Sequence, residues 1–73
     1  MNIKTGFEFL ITKINYVGNV ICISTDQFSN EIATVMFFDT EGFLFKICSV
    51  YVQTIKNNLE DGTYKEIKRK LVK

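Results

Sequence analysis

The sequence contains no histidine, no proline and no tryptophan, and only one arginine, two cysteines and four glycines among its 73 residues. Each shortage excludes something. Without histidine, no side chain titrates naturally near neutral pH, so general acid–base catalysis lacks its usual residue. Most of the carboxylates fall in turns or at element ends, where turn chemistry accounts for them. Asp39 and Glu41 share one turn, but a calcium loop spreads its ligands over about twelve residues and no such spacing is present. The glycines form neither G-x-G-x-x-G nor a P-loop. Cys22 and Cys48 have no histidine partner and no C-x-x-C spacing, which argues against a nucleophile and against structural zinc. The chain is therefore expected not to be an enzyme, and to hold no metal and no cofactor.

Both cysteines lie in apolar runs, Val20-Ile21-Cys22-Ile23 and Phe45-Lys46-Ile47-Cys48, and are expected to be buried, reduced thiols. The N-terminal Met1-Asn2-Ile3-Lys4-Thr5-Gly6 is too polar and too short for a secretory signal, so a cytoplasmic location is expected. The longest uncharged stretch, Ile14 to Thr25, is interrupted by Asn15, Gly18 and Asn19, and falls short of the roughly 20 apolar residues a membrane span requires. The lack of proline and a hydrophobic content of 47% argue for a folded chain. Eight lysines to one arginine, with nine isoleucines and six asparagines, suggest the codon usage of an AT-rich genome, such as a low-GC bacterium or its phage.

What is present fits one α+β domain spanning residues 1–73. The expected architecture is a small antiparallel β-meander of four or five strands, over about residues 7–49, then one or two C-terminal helices over about 51–72. A first hairpin is expected from Ile11–Val17 and Val20–Thr25 around a two-residue Gly18-Asn19 turn. Upstream, Phe7, Phe9 and Ile11 alternate on odd positions whereas Ile14 and Tyr16 continue on even ones. That change of phase marks a bulge or break near Thr12-Lys13. Phe7, Leu10, Ile11 and Ile14 also fall at the spacing of a short helix, but the aromatic and β-branched content favours the strand. A second hairpin joins Ile32–Phe38 to Phe43–Ser49 through Asp39-Thr40-Glu41-Gly42. Val52, Ile55 and Leu59 have helical spacing, although Val50, Val52 and Thr54 also alternate as in a strand. Thr63 with Glu66 forms a capping box, which predicts a last helix carrying Tyr64, Ile67 and Leu71.

The second hairpin is apolar on both faces. With Phe38 opposite Phe43, one face carries Ile32, Met36, Phe38, Phe43, Phe45 and Ile47. The other carries Ala33, Val35, Phe37, Leu44 and Cys48, and a bulge in the turn would shift these sets. A half-solvated antiparallel sheet should alternate apolar with polar instead. One helical layer can cover one face. The other must be covered by curling into a barrel, by the N-terminal segment, by a second copy or by another protein. A 73-residue chain has a marginal core, and association is the supplement its composition allows. Met36, Phe38, Leu44 and Phe45 are the candidate interface residues. Phe28, alone in a polar loop, either folds back on the core, the favoured expectation, or is shown to a partner.

Charge is uneven. Residues 1–42 hold two lysines against five acids, and residues 43–73 hold seven basic residues against three acids. Lys65, Lys68, Arg69, Lys70 and Lys73 would cluster on the last helix and could contact phosphates. A solvated basic end complementing the helix dipole explains them as well. The functional expectation is a protein-binding module, of inhibitor or adaptor type and of the kind carried by phages or mobile elements, that forms a homo-oligomer. Nucleic-acid binding is the alternative, and an oligomer that sequesters a small ligand near Phe28 and Asn30 is a further one. No membrane association is expected.

Overall fold

Aromatic and β-branched residues dominate the first two-thirds of the chain, and they form strands wherever turn residues allow the chain to reverse. The computed structural model describes residues 2–68. The strands are β1 (Glu8–Ile11), β2 (Tyr16–Thr25), β3 (Glu31–Phe38), β4 (Leu44–Tyr51) and β5 (Tyr64–Glu66), with one helix, α1 (Val52–Glu60), between the last two. They form a single five-stranded sheet in the order β4-β3-β2-β1-β5, and every pairing is antiparallel. The α+β class and the antiparallel meander therefore hold, with a fifth strand and one helix among the described residues. The sheet does not close into a barrel, since β4 and β5 lie at opposite ends of the strand order.

The first turn is not where the glycine suggested. β2 runs straight through Gly18 and Asn19, which pair with Phe37 and Met36 of β3. The chain reverses instead at Thr12–Asn15, with Asn15 in the left-handed region at φ 58° and its N–H bonded to the Ile11 carbonyl at 2.8 Å. Asparagine tolerates that conformation well. Gly18 serves a different need. It lies directly opposite Phe9, and a β-carbon there would overlap the Phe9 ring, with Cε1 and Cε2 each 2.7 Å away. The phase change near Thr12-Lys13 is thus a strand break, as one of the two readings held.

The core lies on one face of the sheet. Phe9, Val20, Ala33 and Val35 are fully buried there, joined by Phe37, by Val52 and Ile55 of α1, and by Ile3 from the N-terminal segment. Full burial of a large apolar side chain stabilises by roughly 1.5–3 kcal/mol. The helix begins directly at the end of β4 and packs against β3, β4 and β5. It therefore crosses the sheet from one edge toward the other. Val52 and Ile55 are buried and Leu59 half-buried, so the spacing read as helical is helical from Val52 onward, after a strand that runs on to Tyr51.

The last predicted helix is overturned in its first part, because Tyr64–Glu66 is a strand. α1 ends at Asp61, whose N–H bonds to the Asn57 carbonyl, and Gly62 follows at φ 88°. Thr63 does not cap a helix. Its N–H is instead held at 2.8 Å by the Asp61 carboxylate, which turns the chain back along the free edge of β1. The Thr63 carbonyl accepts the Thr12 N–H at 3.0 Å, Ile67 N–H donates to Glu8, and the Tyr64 ring stacks on Phe9 with centroids 4.5 Å apart. A short isolated helix is marginal in water, whereas this route satisfies main-chain groups of β1 and buries an aromatic. Ile67 and Lys68, also placed on that helix, follow β5 outside any helix or strand, and Arg69, Lys70 and Lys73 lie outside the described residues.

Candidate interaction surface

In β3 the pleat divides the side chains cleanly. Ala33, Val35 and Phe37 are buried, whereas Ile32, Thr34, Met36 and Phe38 on the opposite face are only half-buried. The register carries this second face across the sheet. Phe38 lies between Val17 of β2 and Leu44 of β4, and Met36 between Asn19 and Ile47. Leu10 of β1 lies opposite Val17, and Lys65 of β5 opposite Leu10. Among the described residues no element packs on this face, because α1 and Ile3 both serve the other one.

Leu10, Val17, Met36, Phe38, Leu44 and Ile47 thus form an apolar field. It is flanked on the β1 side of Met36 by Glu8 and Asn19, joined by a hydrogen bond from Asn19 Nδ2 to Glu8 Oε2 at 3.2 Å. A shallow concavity of about 670 Å³ opens beside Phe38, Val17 and that polar pair. A smaller hollow, about 440 Å³, lies between the β2–β3 loop and the first turn of α1, lined by Asn30 and Tyr51 among others. That first turn has no side-chain cap and no acidic residue. Among the described residues, no group of three or more cysteines, aspartates or glutamates is placed to hold a metal ion, and no helix is long and apolar enough to cross a membrane.

The sequence-derived residues distribute unevenly over this surface. Met36, Phe38 and Leu44 do meet on it. Phe45 does not, because a bulge between Phe37 and Phe38 sets Leu44, not Phe43, opposite Phe38. Phe45 instead reaches Tyr16 edge-on, with ring centroids 5.2 Å apart. Lys46 Nζ sits over the Phe37 and Phe45 rings at 5.5 and 5.8 Å. This is the register shift that a bulged turn entails.

Phe28 is not folded back: it is 73% exposed. The loop places it there because the Asp26 carboxylate accepts the main-chain N–H groups of Phe28 and Asn30 at 2.8 and 3.0 Å. Those bonds, led by the one from Asn30, hold the Asp26 carboxyl below its ordinary pKa. Cys22 is exposed rather than buried, while Cys48 is half-buried, and both are free thiols. The reason is the register. Cys22 pairs with Thr34 on the uncovered face after a second bulge at Ile21, and Cys48 pairs with Val35 on the core face.

Tyr51 and Ile47 were absent from the sequence-derived set, yet both are about half exposed. Extending the period-two alternation of β4 to Tyr51 would have placed both with Met36 on one face, whereas Leu44 reaches that face only through the bulge. Of the basic residues, Lys65 stands on β5 and Lys68 is exposed beyond it. Comparison of the chain with protein-family models, with curated proteins and with solved structures finds no match.

Proposed function

We propose that this chain is a non-enzymatic protein-interaction module of inhibitor or adaptor type, and that it associates with itself through the uncovered apolar face of its sheet. The observation that carries this reading is the one-sidedness of the fold. The helix and the N-terminal segment both serve one face, and the opposite face presents Met36, Phe38, Leu44 and Ile47 together. Contiguous exposed apolar patches of several hundred Å² are uncommon on monomers and mark interaction sites. A lack of histidine and of any phosphate-binding glycine motif supports the non-enzymatic part.

Light scattering coupled to size exclusion tests the reading. The expected result is a mass at least double that of one chain, reduced to one chain's mass by Leu44→Asp with Ile47→Asp. Both side chains are about half exposed, so a single chain tolerates the charge and the circular dichroism spectrum stays folded. Wild-type protein that remains a single chain at every concentration, or folded variants that assemble unchanged, would sink it.

A further inference from the structure

The two edges of the sheet are built differently. β5 is three residues long and carries Lys65 and Glu66, which is how an edge exposed to water is guarded against pairing. β4 is eight residues long, Leu-Phe-Lys-Ile-Cys-Ser-Val-Tyr, with one charge. Its outer edge is unpaired among the described residues. Of the large apolar side chains that are exposed, Phe43, Leu44, Phe45, Ile47 and Tyr51 all lie on β4 or immediately before it, each 50–67% exposed. With Lys46 its only charge, the strand carries little of what guards an open edge against pairing. The helix does not shield this edge, because it leaves β4 at Val52 and runs toward β5.

We infer that β4 pairs antiparallel with β4 of a second copy about a two-fold axis, joining two sheets into one of ten strands. This rests on the self-association reading and narrows its contact to the β4 margin of the apolar face, where Ile47 and Tyr51 lie. The strand is self-complementary in one register. Its pairing with β3 is uninterrupted from Lys46 to Tyr51, so the axis falls near the middle of that stretch. Opposed residues must share a face, which requires the axis to pass through a residue position. Centred on Ser49, the axis sets Ile47 against Tyr51 of the partner subunit on the uncovered face, and Cys48 against Val50 of the partner subunit on the core face. Lys46 then lies beyond the apolar pairs. Centred on Cys48, it would set Lys46 against Val50 of the partner subunit and Ile47 against a serine.

The main chain, more than side-chain area, carries this contact. At about 200 Å² per large side chain, the half-exposed Ile47 and Tyr51 present roughly 200 Å² from each copy, below the roughly 800 Å² per side of a standard interface. The unpaired N–H and C=O groups along the β4 edge supply the hydrogen bonds that fix the pairing. A second copy is also the one occupant that brings a strand matched to this edge by construction.

Cysteine chemistry tests it on the full chain. In a Cys22→Ser, Cys48→Val background, Ser49→Cys places two thiols across the axis. Directly opposed strand residues have Cα atoms about 4.5–5.5 Å apart, within the span of a disulfide. Mild oxidation is expected to convert most of this variant to a covalent dimer. In protein keeping only Cys22, alkylation is expected to run at the same rate in the dimer as in dilute monomer, because edge pairing does not reach Cys22 on β2, two strands in from β4. A dimer in which the Ser49→Cys variant gives no crosslink overturns the edge pairing. If Cys22 is protected in that dimer, the faces stack instead and self-association itself survives. A single chain at all concentrations removes both readings together.

Discussion

Gly18 shows how one residue can be required without using its freedom at positive φ. The Phe9 ring, itself fully buried, occupies the space where a β-carbon would stand. Replacing a strand glycine by alanine recovers about 0.5–1 kcal/mol of backbone entropy, but overpacking a tight core costs about 1–3 kcal/mol. The clash should win. Gly18→Ala is expected to lower the melting temperature by several degrees, since each kcal/mol is worth roughly 4–8 °C in a domain of this size. Adding Phe9→Leu should make the Gly18→Ala step less costly, which a double-mutant cycle measures. Asp26 acts at the same scale. Its carboxyl is held below the ordinary value, first by the Asn30 N–H and then by the Phe28 N–H, against an opposing effect of desolvation. Asp61 is lowered likewise by the hydroxyl and N–H of Thr63. A depressed carboxyl stabilises the fold above the unfolded aspartate pKa of about 3.9, and that contribution is lost as pH falls through the lower folded value. Melting followed across that acid window should show Asp26→Ala differing from wild type at neutral pH and converging on it in acid.

At the scale of elements, the strand β5 is attached by few groups and should come away first. Tyr64 stacks on Phe9, and Thr12 Oγ1 donates to the carbonyls of Gly62 and Thr63, both at 3.1 Å. Tyr64→Ala is expected to speed hydrogen exchange at the amides of Thr12 and Ile67, which bond across the β1–β5 seam, while the amide of Val20 stays protected. Equal acceleration at all three amides would show that β5 opens only with the whole domain. The elements also show what could be read locally. β3 and β4 were legible because alternation and the Asp39–Gly42 turn are properties of neighbouring residues. α1 was legible from Val52, Ile55 and Leu59. The first turn was not, because Gly18-Asn19 has turn chemistry and only the distant Phe9 ring decides otherwise. β5 was not, because Thr63 with Glu66 imitates a helix start, and the competing offer came from an unpaired strand edge some fifty residues away. Met36 and Phe38 could be placed together from alternation alone, and the same alternation carried on along β4 reaches Ile47 and Tyr51. Leu44 and Phe45 could not be placed, since the bulge exchanges their faces.

For the whole molecule, the proposed assembly would make association and stability a single equilibrium. Association that favours the folded state adds stability by mass action, so the melting temperature is expected to rise with protein concentration. Ile47→Asp should flatten that dependence while leaving the dilute melting temperature nearly unchanged. Nucleic-acid binding through Lys65 and Lys68 makes a different forecast: retention of DNA or RNA that weakens steeply with salt and is lost on Lys65→Glu with Lys68→Glu. A filter-binding titration separates the two.

The pairing of Phe9 with Glu66 also dictates when the sheet can be completed during biosynthesis. β4 ends at Tyr51, fifteen residues before Glu66. At about 5–20 residues per second, the ribosome needs roughly one to three seconds to cover that distance. Until Glu66 has followed, a chain that pairs its four longer strands has no cover for the outer side of β1. A newborn copy is therefore open on both flanks for a moment, and crowded polysomes are where wrong partners would be met.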